Sequence, residues 1–345
     1  MFIYIFFVIS TAFCAIIEYI SNNSNKALSY FLYIFIAILF VGIAGLTDGN
    51  GLDWNAYKDI MNEHLSISDI WGHPQYEPLF LLSYKLFPTY SFFLFVFVCI
   101  NLFLISKTIF QYSPYITISL FVYICVYYFL GIMGQIRQAF AISIIIFAWS
   151  HVGKRRFLIY ILLAGLFHIS AFICLLYYVI PNHLFKKKYY FFVLLFVSFS
   201  YVFFQEFIFS LLDSFASGKV LYYLANEEAT ISISFLLYKI LLFLLILFKI
   251  DKNNDFLFLN KIFNIYFLSI LLYLILSFSS SIGGRIILYF SITEILIIPY
   301  LFKFYTNMKL GALIFILFLS FNIYQYFSFL TAYSDIYIPY RCLLL

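Results

Sequence analysis

The stretch KRRFLIYILLAGLFHISAFICLLYYVIPNHLFKKK, residues 154–188, decides how the chain is threaded. Its apolar middle, Phe157–Ile180, is about one bilayer crossing long. Basic clusters close both ends, Lys154-Arg155-Arg156 before it and Lys186-Lys187-Lys188 after it. Lysine and arginine are retained on the cytoplasmic side, so a simple crossing would strand one cluster outside. A re-entrant helical hairpin turning near Gly165–Ser170 keeps both inside, because sheltered non-helical backbone is tolerated at membrane depth. We read the hairpin, with His168 at its turn.

The rest of the chain agrees with a membrane setting. Of 345 residues, 65% are hydrophobic, 24% aromatic and 10% charged, against about 25% charged in soluble domains. The expected fold is all-α, a single polytopic membrane domain over residues 1–345 with about ten spans plus the hairpin at 157–180. Five spans precede the hairpin: Phe2–Ile20, Tyr30–Leu46, Tyr90–Ser106, Tyr115–Met133 and one ending at Trp149. Five follow it: Tyr189–Phe204, Ile231–Ile250, Ile262–Ser279, Ile286–Phe302 and Leu310–Leu330. Residues 2–20 lack a basic leader and a small-residue cleavage site, and are read as a span rather than a signal peptide. With this threading, thirteen of the 20 lysines and arginines face the cytoplasm, against two of the 15 acids, Asp251 and Asp255. Residues 47–77 and 205–230 are extracytoplasmic loops, and so is the tail from Thr331. The first of these loops carries Asp48, Asp53, Asp59, Glu63, Asp69 and Glu77 against Lys58 alone.

The composition also excludes much. The five cysteines are scattered, with no disulfide or metal spacing. No nucleotide-binding loop, zinc motif, redox centre or nucleic-acid face is present, so no cofactor and no nucleic-acid partner is expected. Energy must come from an ion gradient or from an already activated substrate.

Two arginines stand where spans begin on the outer side. Arg137 lies in Gly131-Ile132-Met133-Gly134-Gln135-Ile136-Arg137-Gln138, inside an otherwise apolar run. Arg285 follows Ser281-Ile282-Gly283-Gly284, with Tyr289 one turn on. Arginine in hydrocarbon costs roughly 2.5–3.5 kcal/mol on insertion scales, so each needs a partner or a task. A helix N-terminus favours an anion, glycines allow close backbone approach, and guanidinium binds phosphate bidentately. The pair suits a diphosphate, with Gln138 and Tyr289 extending the polar surface. The alternative is that each arginine snorkels or pairs with an acid from an outer loop. Glu294 faces away from Arg285 on a helical wheel and reads as an interhelical partner.

Three groups could move a proton. Asp53 sits in Gly51-Leu52-Asp53-Trp54-Asn55-Ala56-Tyr57, where Trp54 and Tyr57 offer rings to sugar C–H faces. Glu77 sits in Tyr76-Glu77-Pro78 at the start of an apolar segment, and His168 lies within the hairpin. Any of them could serve as general base. The plain alternatives are solvated loop acids and a hydrogen-bonded packing histidine.

The order of these pieces resembles the EpsG/Wzy-type polysaccharide polymerases: Asp53–Tyr57, Glu77-Pro78, Arg137-Gln138, Phe167–Ser170 and Arg285–Tyr289. Such proteins often carry an arginine several residues before the outer aspartate, where Thr47 stands near that place here. The resemblance implies a bacterial inner-membrane glycosyltransferase that joins oligosaccharide repeats carried on undecaprenyl diphosphate, at the periplasmic or exterior face. Its expected partners are the lipid-linked glycan donor and acceptor, the bilayer and a chain-length regulator. Asp53, Glu77 and His168 would be catalytic, Arg137, Gln138, Arg285 and Tyr289 would bind the diphosphate, and Trp54 and Tyr57 would bind sugar. The rival reading is a flippase for the same lipid-linked oligosaccharide.

Overall fold

The computed structural model describes residues 1–21, 25–63, 65–215, 232–250, 257–276, 280–305 and 308–343. Those residues are helical throughout, apart from turns and one isolated bridge between Thr47 and Cys342. The expected membrane domain divides into two compact units, Met1–Cys174 with Ile298–Leu345, and Leu175–Ile297.

The first unit opens with α1 (Phe2–Ile20) and α2 (Lys26–Gly45). On α1 the exposed residues Phe2, Phe6, Ile9, Phe13 and Ile20 recur at helical spacing, and all are apolar. Water would penalise that stripe and hydrocarbon would not, so it is a lipid-facing surface. The opposite stripe of α1 buries Tyr4, Phe7, Thr11, Cys14 and Glu18.

Three short helices follow: α3 (Trp54–Met61), α4 (Ile67–Gly72) and α5 (Pro78–Tyr84), the last beginning with proline at its first position. Helices α6 (Tyr90–Tyr112), α7 (Ile116–Tyr127) and α8 (Ile136–Phe147) form the centre of the unit. A π-helical segment, Tyr128–Gly134, joins α7 to α8. Helix α7 has no side-chain cap of its own, and Glu18 replaces it. The Glu18 carboxylate accepts the N–H groups of Ile116, Thr117 and Ile118 at 3.0, 2.8 and 3.1 Å, and the Thr117 hydroxyl at 2.5 Å. The acid thus satisfies donors that a helix start otherwise leaves open.

Helix α9 (Arg155–Gly165) ends at Leu166–His168, and a 3-10 helix, Ile169–Tyr178, follows. The break falls where the hairpin reading puts its turn.

In the second unit lie α10 (Lys187–Phe215), α11 (Ile233–Lys249), α12 (Leu257–Ile275) and α13 (Ser280–Ser291). Helix α10 runs eleven residues past Phe204, so the loop expected at 205–230 is helical through Phe215. The remainder of that loop, with Glu227 and Glu228, lies outside the described residues. Lys239 and Glu294 pair at 2.5 Å, both wholly buried, as expected of an interhelical partner. Burying two charges is tolerable only when they meet. The chain returns through α14 (Glu294–Phe304) to α15 (Met308–Ala332) and α16 (Ser334–Tyr337).

Among the described residues, six helices are long and apolar enough to cross a membrane, or seven if the bent pair Gly283–Ser291 and Glu294–Phe304 is one span. The count of about ten is not reached by this measure. Hydropathy alone also counted α8 and α11, which are helices of 12 and 17 residues, against about 20 for a full crossing.

The tail beyond α16 is clasped to the loop after α2. Asn50 is 2% exposed. Its Nδ2 donates to the carbonyls of Ile336 and Pro339, each at 3.0 Å, and of Tyr337 at 3.3 Å. Its Oδ1 accepts the Arg341 N–H at 2.7 Å. Gly51 presses against the π-helical segment so closely that a methyl group would collide with the Met133 carbonyl. Glycine is required there for packing.

Asn50→Ala is expected to destabilise the purified protein by about 2 kcal/mol, since it leaves buried carbonyls unpaired. A lower melting temperature with faster proteolysis near residue 336 would register it, whereas unchanged melting would remove the clasp. The hairpin reading further predicts that a cysteine replacing Lys187 reacts with an impermeant thiol reagent only in permeabilised cells. Labelling of intact cells would make Phe157–Ile180 a crossing.

Candidate active site

Within the first unit, five of the expected residues come together: Asp53, Tyr57, Glu77, Arg137 and His168. Each is delivered by a different structural device. Glu77 is the residue before Pro78, held in extended backbone just ahead of α5. Arg137 is the second residue of α8, immediately after the π-helical segment. His168 occupies the break between α9 and the 3-10 helix. Asp53 precedes α3 and Tyr57 lies one turn into it. The Leu79 N–H donates to the Leu166 carbonyl at 3.1 Å, which ties α5 to the break.

The Glu77 carboxylate is the hub. Its Oε2 accepts from Arg137 Nη1 at 2.5 Å. Its Oε1 meets His168 Nδ1 at 2.8 Å and accepts the Ile169 N–H at 3.1 Å. The three side chains are only 13%, 17% and 12% exposed for Glu77, Arg137 and His168, so solvent screens the interactions weakly. Burial alone would raise the Glu77 pKa, but the hydrogen bond from His168 and the Arg137 charge outweigh it and bring it down to about 2. Glu77 is therefore an ionised acceptor with no proton to give. His168 Nδ1 must then carry the hydrogen, and in the neutral ring Nε2 holds the lone pair.

A second line of bonds leads from Arg137 to Asp53. Arg137 Nε donates to the Tyr57 hydroxyl at 3.3 Å, and that hydroxyl donates to Asp53 Oδ2 at 3.0 Å. Burial pushes the Tyr57 phenol up, so it keeps the proton it donates. Arg137 Nη1 also donates to the Gln75 carbonyl at 3.1 Å. The guanidinium carbon stands 4.7 Å from the Tyr76 ring centre and 5.6 Å from that of Tyr57. Aromatic faces attract such a cation. These hydrogen bonds use Nε and Nη1 and leave Nη2 outside them.

The arginine thus pairs with an acid from the 47–77 loop, the plainer of its two expected readings. The glycines beside it pack protein: a methyl on Gly134 would stand 2.8 Å from the Phe129 carbonyl oxygen and 3.1 Å from Leu52. Gln138 is buried in α8, at 2% exposure. Trp54 lies against Tyr90, with ring centres 5.5 Å apart, on the neighbouring face of α3.

Arg285 and Tyr289 belong to the second unit. Arg285 is the sixth residue of α13, because the expected Ser281–Gly284 turn is already helical. It therefore lies a turn deeper than a helix start. Tyr289 is fully buried and its carbonyl accepts from the Tyr177 hydroxyl.

Sequence reasoning passed over Gln75, Tyr76 and the Ile169 N–H. Tyr76 is the one with a signal, an aromatic residue directly before the acid that holds the arginine. Gln75 and Ile169 contribute backbone atoms, which side-chain identity does not announce.

The helices and this cluster define a polytopic membrane protein with a buried acid–arginine–histidine site at a helix break. The model of the EpsG family matches residues 29–342, most of the chain, and the protein belongs to that family, which is of the Wzy-type polymerase-like kind. No curated protein and no solved structure matches the chain.

Because the Glu77 pKa is depressed, its stabilising effect is fully present above about pH 4.5 and is lost as pH falls towards 2. The stability difference between the wild type and Glu77→Gln should be on the order of 3 kcal/mol at pH 5 and shrink below pH 4. Melting curves in detergent at matched pH measure it. A difference that grows on acidification would contradict the ionised hub.

Proposed function

We propose that the protein is a membrane glycosyltransferase that polymerises oligosaccharide repeats carried on undecaprenyl diphosphate, at the outer face of the bacterial inner membrane. The observation that carries this reading is the Glu77 carboxylate bound at once to Arg137 and His168. A polymerase of this kind needs a base for an acceptor hydroxyl and a cation for a departing diphosphate, and no cofactor. Membership of the EpsG family supports the same conclusion.

In the proposed reaction a hydroxyl of the acceptor sugar attacks the anomeric carbon of the donor's reducing-end sugar. A C–O bond forms there as the bond to the lipid diphosphate breaks. The hydroxyl proton passes to His168 Nε2, the nitrogen turned away from Glu77. A histidine oriented by a carboxylate through its other nitrogen is a general base of known type. Glu77, with its pKa near 2, is too weak a base for the task and orients the ring instead. Arg137, through Nη2, neutralises charge growing on the diphosphate, and preorganised charge of this sort is commonly the largest catalytic contribution. Asp53 and Tyr57 hold Arg137 in place, and Trp54 belongs to the sugar-binding surface. The bilayer presents both lipid-linked substrates, and a chain-length regulator is the expected protein partner.

A strain lacking the protein should display single-repeat glycans in place of long chains on gel electrophoresis of its surface polysaccharide. Complete absence of surface repeats would indicate a flippase instead. When the strain is complemented, Arg137→Lys should lower polymer formation at least about tenfold at normal protein level, since a point charge cannot replace the planar fork. His168→Gln should do the same. Wild-type polymer from either variant would remove that residue from the mechanism.

A further inference from the structure

Beside the cluster, along an adjoining stripe of α3, lies a cleft of about 910 Å³. Trp54, Lys58 and Met61 line it at spacings of four and three, so one stripe of α3 turns towards it. Tyr57 lies on the adjoining stripe, against Arg137. One helix therefore serves both places. The cleft is at the upper end of the size range of small-ligand sites, about 300–1,000 Å³.

Its lining is unusual for this part of the chain. Between residues 47 and 89 stand six acids and two lysines. Both lysines, Lys58 and Lys85, line the cleft, and of the acids Glu63 alone does. Lys58 Nζ lies 4.7 Å over the Trp54 ring, and Lys85 Nζ donates to the Leu65 carbonyl. An ammonium has three donors, so that bond leaves Lys85 two more. Two buried polar atoms of the lining, Trp54 Nε1 and the Tyr84 hydroxyl, have no hydrogen-bond partner, although their residues are 7% and 3% exposed.

We propose that this cleft binds the acceptor glycan through an acidic sugar, whose carboxylate meets Lys58 and Lys85 while the sugar ring lies along the aromatic wall. The assignment to an acceptor rests on the polymerase reading; the preference for an acidic glycan rests on the cleft alone.

The test is direct binding to the full-length protein in detergent at low ionic strength. The probes are a tetrasaccharide containing glucuronate, a neutral tetrasaccharide of equal length, and inorganic pyrophosphate. The acidic tetrasaccharide should bind about fivefold more tightly than the neutral one, as two exposed ion pairs allow. Lys58→Gln with Lys85→Gln should abolish the preference. So should Ser91→Glu, which sets an acid in the cleft wall and keeps the fold because the first turn of a helix favours acids. Arg137→Lys should retain the preference. Equal binding of the two tetrasaccharides, or an unchanged preference in Ser91→Glu, overturns the proposal. Pyrophosphate binding that is lost in the lysine double variant but kept in Arg137→Lys would also overturn it, by giving the cleft to the lipid carrier. Failure of the polymerase reading would show separately, in the glycans of the deletion strain.

Discussion

One ionised carboxylate organises the candidate site of the first unit. Glu77 has two oxygens, and they receive a guanidinium from the start of α8 and an imidazole and a backbone N–H from the break at 168–169. None of these partners would be stable so sheltered without it. A buried arginine needs a counter-charge, and a helix beginning at Ile169 needs an acceptor for its first N–H. The proline after Glu77 fixes the backbone from which the carboxylate reaches them. Geometry, protonation state and fold thus hang on the same side chain, which is why the cluster is at once structural and chemically poised.

The secondary structure around that carboxylate is irregular where it matters. A π-helical segment precedes Arg137, a break holds His168, and extended backbone carries Glu77. Regular helices would project these side chains outward around three separate axes. Interruptions let three segments aim side chains at one point, and π segments and helix breaks often mark functional sites for that reason. The regular helices α6, α7 and α8 supply the rigid support behind them.

Much of this was legible in the sequence. The first helix, Phe2–Ile20, matches its hydropathy segment at both ends, because nothing but a polar turn competes there. The break at Leu166–His168 followed from charge placement on either side, a long-range constraint that composition records. The site residues of the first unit were visible as charges in apolar or loop surroundings, yet their pairing was not. For Arg137 the sequence left open an anion or an outer-loop acid as partner, and the acid is Glu77, since spacing along a chain does not report which loop folds back. Nothing in the sequence around Glu18 announces its role as cap for α7, which depends on a helix start 98 residues away. Asn50 carried no signal at all, because an amide that binds backbone carbonyls leaves no pattern in its partners' side chains. The extent of α10 was missed because Glu206 and Asp213 read as loop acids.

The Asn50 clasp has a consequence for assembly order. Its bonds join positions separated by 286 to 291 residues, so nearly every other segment must be inserted before the loop preceding Asp53 can lock. Contacts of such long range form last, after loop-closure entropy has been overcome segment by segment. A partly inserted chain would leave the 46–53 loop unanchored. Closure of the clasp thus marks completion, because the start of α3 gains its anchor only once the C-terminal segment is in place.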